Sequence, residues 1–193
     1  MASNESKGRS RGAFAAMTAF YVLALFSKET GLIVVGLAAA YFLLLGRKTP
    51  ERFAAPALGL AAATLLYLGL RFGILERPVA FPVKFHHSAL TSFAWYLKTL
   101  AVPYPVCLEH TLTAGWAGVV WLAAFAGAVW AWRRSPTRIF CLIWIALALA
   151  PVLHFIPFSN VSPVADRYLY LPAAGFCLLL STLAASGKGE AVL

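Results

Sequence analysis

Three short polar stretches break an otherwise apolar chain: Lys28-Glu29 in FSKETG, Glu109-His110 in VPYPVCLEH, and Asp166-Arg167 in ADRYLYLP. Lys28 and Arg167 are suited to anions. An ammonium meets phosphate as a point charge, whereas a guanidinium grips it with two parallel N–H donors. Glu29 and Asp166 are placed to hold these cations, and Tyr168 and Tyr170 add hydroxyls beside Arg167. Glu109 and His110 are candidates on the acceptor side, where a carboxylate or imidazole takes a proton from a hydroxyl. Each group also has a plain structural reading: a capped turn for Lys28-Glu29, a local ion pair for Asp166-Arg167, and an interfacial aromatic belt for the tyrosines. A metal centre is disfavoured. His86 and His87 are adjacent and point apart, His154 stands alone, and no HExxH spacing occurs. No nucleophile elbow supports a Ser-His-Asp arrangement, so no catalytic residue and no cofactor is assigned.

The solvent around these charges decides what they do. Of 193 residues, 61% are hydrophobic and 12% are charged, against about 45–50% and about 25% in soluble domains. The composition predicts an all-α integral membrane protein. The net charge of +9 does not form a basic stripe. It falls in clusters at the ends of apolar runs, which argues against nucleic acid and for the positive-inside rule. Cys107, Cys141 and Cys177 give no disulfide framework, and two of them lie inside apolar runs.

Six apolar segments are read as spans, at 13–27, 31–46, 54–72, 113–132, 139–158 and 168–186. Read as one helix, 13–46 would be about 51 Å long, too much for one crossing of a core about 30 Å thick. A hairpin turning at 27–31 is expected instead, with Ser27 as the N-cap of the second helix and Glu29 in its first turn. Residues 1–12 form a basic cytoplasmic arm without fixed structure, and 187–193 a cytoplasmic tail. Within the external loop 73–112, Leu90, Phe93, Ala94, Leu97, Leu100 and Ala101 recur at helical spacing, with Trp95, Tyr96 and Lys98 alongside. That pattern predicts an amphipathic helix in the interface plane, ended by Pro103 and Pro105. The basic clusters place both termini in the cytoplasm, and the SKET turn, the loop 73–112 and the loop 157–167 on the opposite face.

Three of these segments resemble parts of a known family. LALFSKETGLIVVGLAAAYFLL is similar to the Lys-Glu span of membrane glycosyltransferases with the GT-C fold. The nearest resemblance is to O-mannosyltransferases that carry tetratricopeptide repeats, and to their bacterial relatives. WYLKTLAVPYPVCLEH is similar to their helix-then-proline loop, and SNVSPVADRYLYLPAAGF to their acidic-Arg-Tyr-x-Tyr-x-Pro signature. The resemblance covers about 14–183 and implies transfer of sugar from a polyprenyl-phosphate carrier on the outer face. It also implies a multi-pass protein of a bacterial inner (cytoplasmic) membrane. Family members place their catalytic acid in an external loop several spans before the Lys-Glu motif. The chain is therefore expected to match the second half of the membrane domain, to bind the carrier phosphate through Lys28 and Arg167, and not to catalyse alone. The alternative is a truncated relative serving as a structural accessory subunit of a larger membrane complex, with lipids and other membrane subunits as partners. A small transporter is less favoured, because no inverted repeat or broken-helix pair is evident.

Overall fold

The computed structural model describes residues 2–46, 50–71, 73, 89–103, 116–153 and 165–186. Among the described residues there are seven α-helices and no strand. The chain divides into two compact units, Met1–Ala80 and Phe81–Leu193, and each is described by itself.

The first unit contains α1 (Ala2–Ser27), a 3-10 turn (Glu29–Leu32), α2 (Ile33–Leu44) and α3 (Pro50–Leu70). The basic stretch expected to be unstructured is helical from Ala2 onward, continuous with the apolar run that follows it. Helix α1 packs along α3, and both run in the same direction. A Cβ on Gly59 would lie 3.1 Å from the Thr18 hydroxyl, Tyr21 meets Thr64, and the Phe26 and Tyr67 rings meet edge to face at 5.6 Å. Tyr21, Leu25, Leu60, Ala63 and Tyr67 form the buried core of this unit. Thr64 donates its hydroxyl proton to the Leu60 carbonyl at 2.7 Å. The Tyr21 hydroxyl, 2.8 Å from Thr64 Oγ1, must therefore be the donor in that pair.

The second unit contains α4 (Ala89–Ala101), α5 (Trp116–Trp132), α6 (Pro136–Leu149) with a 3-10 extension (Ala150–Leu153), a 3-10 turn (Asp166–Leu169) and α7 (Tyr170–Ser186). Pro136 opens α6, where a missing N–H costs nothing. Helices α6 and α7 pack antiparallel: Trp144 reaches Leu171 and Gly175, while Cys141 and Leu142 pack with Leu179. The larger core cluster joins Tyr96 and Leu97 of α4 to Ile145, Leu149, Val152 and Leu153. Trp121, Phe125, Ala128 and Trp132, one helical stripe of α5, complete the packing.

The buried face of α4 differs from the expected one. Leu90 and Ala101, placed on the apolar stripe by spacing, are exposed, whereas Ser92, Tyr96 and Thr99 are buried with Ala94 and Leu97. Two of those polar groups have internal partners that make their burial affordable: Thr99 donates to the Trp95 carbonyl at 3.0 Å, and Tyr96 accepts a backbone N–H.

Among the described residues the expectation of helices without strands holds. Among these residues two helical stretches, Pro136–Leu153 and Asp166–Ala185, are long and apolar enough to cross a membrane, and Gly12–Ser27, Thr30–Leu44, Pro56–Leu70 and Trp116–Trp132 are shorter apolar helices.

Candidate functional site

The Lys28 turn is tightly drawn. Its backbone is extended (φ −158°, ψ 139°), its N–H donates to the Ala24 carbonyl, and its own carbonyl accepts the Gly31 N–H, both at 2.9 Å. A Cβ on Gly31 would come within 3.1 Å of the Ala24 and Leu25 backbone, which explains the glycine. Ser27 closes α1 and is not the N-cap of the next element. That position belongs to Lys28, whose side chain makes no capping bond, because an ammonium has no acceptor to offer an N–H. Glu29 is the first residue of the 3-10 turn. The Lys28 side chain is exposed, and it follows the C-terminus of α1, where a cation complements the helix dipole.

Parallel packing of α1 and α3 brings a second cation to the same end of this unit. Arg71, one turn beyond Tyr67, donates to the Tyr67 hydroxyl at 2.8 Å. Its guanidinium carbon lies 5.9 Å from that ring's centre. Sequence reading passed over Arg71. The available signal was its i, i+4 spacing from a tyrosine at the end of an apolar run.

In the second unit, Asp166, Arg167 and Tyr168 occupy the 3-10 turn, and Tyr170 begins α7. The turn is fixed at its first residue. Ala165 is completely buried, its N–H donates to the Tyr96 hydroxyl at 3.4 Å, and its carbonyl accepts the Tyr168 N–H at 3.1 Å. Tyr168 packs against the core cluster and is not merely a surface aromatic. Arg167 is exposed and lies over the Tyr168 ring, with its guanidinium carbon 5.1 Å from the centroid and an N–H donated to the Tyr168 hydroxyl at 3.4 Å. A cation over an aromatic face is attracted by the ring quadrupole, and the pairing limits the rotamers of the arginine. Tyr170 is exposed.

Tyr96, noted in the sequence only as a neighbour of the apolar stripe, is the residue that joins α4 to this turn. Its side chain is 0% exposed. Burial pushes its phenol well above the usual tyrosine range, the Ala165 N–H opposes that shift, and Tyr168, Asp166 and Arg167 all lie within electrostatic reach. Asp166, Arg167 and Tyr168 are thus gathered around one buried phenol, while Lys28 belongs to the other unit. Glu109 and His110 lie outside the described residues, as do His86, His87, His154 and Cys107. Among the described residues, no group of three or more His, Cys, Asp or Glu is arranged to hold a metal ion.

Comparison with known proteins adds one distant relative. The chain is 26% identical over 189 residues to a protein named Protein O-mannosyl-transferase F38B6.6, from Caenorhabditis elegans. The alignment takes in 84% of this chain and 26% of the relative, so the chain spans about a quarter of that protein's length. No protein-family model matches the chain, and no solved structure matches it.

Proposed function

We propose that the chain is a glycosyltransferase-like integral membrane protein whose 166–170 turn binds the phosphate of a polyprenyl-phosphate carrier on the outer membrane face. The observation that carries this reading is the presentation of Arg167. An exposed guanidinium lies over a tyrosine that is itself packed into the core, so its fork of donors is partly ordered before a ligand arrives. Such preorganisation lowers the entropy cost of binding. The mannosyltransferase-named relative supports the glycosyltransferase-like part of the assignment. The membrane setting is supported by what the helices leave uncovered: Phe20, Leu58, Leu65 and Trp116 are all more than two-thirds exposed, Trp116 at 82%. Water-soluble surfaces rarely carry so many large apolar groups.

In this reading Arg167 is the principal phosphate ligand of the second unit, with Asp166, Tyr168 and Tyr170 supporting it. Lys28 supplies a cation of the first unit, with Glu29 beside it in the sequence. No residue is assigned to the transfer step. The test is binding of farnesyl phosphate, a short polyprenyl phosphate, to the purified chain in detergent micelles, with farnesol as the control lacking phosphate. Arg167→Ala is expected to weaken binding by roughly ten-fold or more, the range of a lost charge-assisted hydrogen bond. Arg167→Lys is expected to recover only part, since a point charge lacks the fork. Lys28→Ala is measured separately. Equal affinity for farnesol and farnesyl phosphate, or full affinity in Arg167→Ala, would sink the proposal.

A further inference from the structure

A tyrosine buried to 0% exposure within an apolar cluster calls for a reason, because a buried hydroxyl is costly unless it is hydrogen-bonded. The core around Tyr96 is made of Leu97, Ile145, Leu149, Val152 and Leu153, and a phenylalanine would fill the same space without a polar atom to satisfy. The Tyr96 oxygen instead accepts the N–H of Ala165, 69 residues further along the chain. Ala165 is the residue immediately before the Asp166–Leu169 turn and has extended backbone, φ −145° and ψ 140°. With its carbonyl engaged by the Tyr168 N–H, both of its backbone polar groups are tied, one to α4 and one to the turn itself.

We infer that Tyr96 is a positioning residue for the anion-binding turn: its phenol oxygen fixes Ala165, and through Ala165 the direction in which Arg167 leaves the protein. The inference rests on the phosphate-binding reading and extends it from the turn to α4. The physical logic is that of a supporting shell. Arg167 is held by Tyr168 on one side, but the turn carrying both residues needs an anchor at its entry, and an error of about 1 Å there degrades a two-point contact to phosphate. The anchor is a hydrogen bond whose acceptor sits on the neighbouring helix. Packing of α4 and seating of the turn are thereby coupled. Asp166, Arg167 and Tyr168 are the charged and titratable groups of the turn that face this phenol.

The test uses the full chain in detergent micelles and two variants that cut the bond from opposite sides. Tyr96→Phe removes the acceptor. Replacing Ala165 with lactic acid turns its amide into an ester, which removes the donor and keeps the methyl side chain. Two readouts are taken, farnesyl phosphate affinity and amide hydrogen exchange across residues 166–169. Each variant is expected to weaken binding about three- to ten-fold, the loss of one modest hydrogen bond, and to speed exchange in the turn. The double variant is expected to be no weaker than either single one, because both remove one interaction. Tyr21→Phe, which loses a comparable bond in the first unit, serves as the stability-matched control and is expected to bind normally.

Unchanged affinity in both variants, with affinity lost in Arg167→Ala, overturns the positioning role and leaves the phosphate reading standing. Unchanged affinity in Arg167→Ala as well overturns both. Additive losses in the double variant also overturn the inference, since they place the two effects in separate interactions.

Discussion

The ionisation of Tyr96 gives this protein an alkaline weak point. Burial raises its pKa above the ordinary tyrosine value of about 10, so in the folded state the phenol holds its proton at pH values where the unfolded chain has released it. Stability from this group is complete below about pH 10 and is lost as pH rises beyond it. Thermal unfolding in detergent followed from pH 7 to 11 is expected to show a falling midpoint only at the alkaline end, and a flatter profile in Tyr96→Phe. A second side chain gives a simpler measurement. Thr64→Val removes the acceptor of the Tyr21 hydroxyl and leaves that hydroxyl part-buried without it. The expected cost is about 1–3 kcal/mol, read from denaturant midpoints. The contrast between Arg167 and Tyr96 shows what a sequence reveals of such groups. Arg167 announces itself, being a charge at the head of an apolar run. Tyr96 does not, because its partner is a backbone N–H far along the chain, and backbone donors carry no residue signature.

Glycine positions fix how closely the helices approach. A Cβ on Gly175 would lie 2.9 Å from Trp144, so α6 and α7 meet at a point where only hydrogen fits. Gly175→Val is expected to force them apart, at about 1–3 kcal/mol for an overpacked contact. Loss of the Trp144 indole bond to the Leu171 carbonyl, now 3.2 Å, should accompany it as a shift in tryptophan fluorescence. Gly31→Ala tests the tight turn after α1 in the same way. The helices themselves were legible from apolar runs and prolines: α6 begins at Pro136 after the basic Arg133-Arg134 pair, and α4 falls within the loop segment where helical spacing placed it. The buried side of α4 was not legible. Hydropathy sorts residues by side-chain type and ranks Leu90 above Ser92 and Tyr96, but it is blind to Thr99 and Tyr96 having hydrogen-bond partners inside.

For the proposed membrane protein, orientation in a bilayer is a property of the entire chain, and the basic clusters predict Lys28 and Arg167 on the outer side and Arg134 on the inner side. In a background with the native cysteines replaced, Lys28→Cys and Arg167→Cys are expected to react with a membrane-impermeant maleimide in intact cells. Arg134→Cys is expected to react only after the membrane is opened. Labelling of all three from one side would refute the topology.

If the chain spans a membrane as proposed, the lengths of its helices decide which bilayer suits it. Helix α2 and the 3-10 turn before it cover 16 residues, about 26 Å at 1.5 Å per α-helical and 2.0 Å per 3-10 residue, against a hydrocarbon core of about 30 Å. Their outer ends are set by the Lys28 turn, where the Gly31 N–H meets the Lys28 carbonyl at 2.9 Å, and by Gly46, whose N–H returns to the Tyr41 carbonyl at 3.0 Å. A span shorter than its surroundings thins the lipid around it or drives proteins together, at a fraction of a kcal/mol per Å. The proposed membrane protein should therefore prefer thin bilayers. Reconstitution into phosphatidylcholines of graded acyl length is expected to keep it dispersed in short-chain lipid and to cluster it as the chains lengthen.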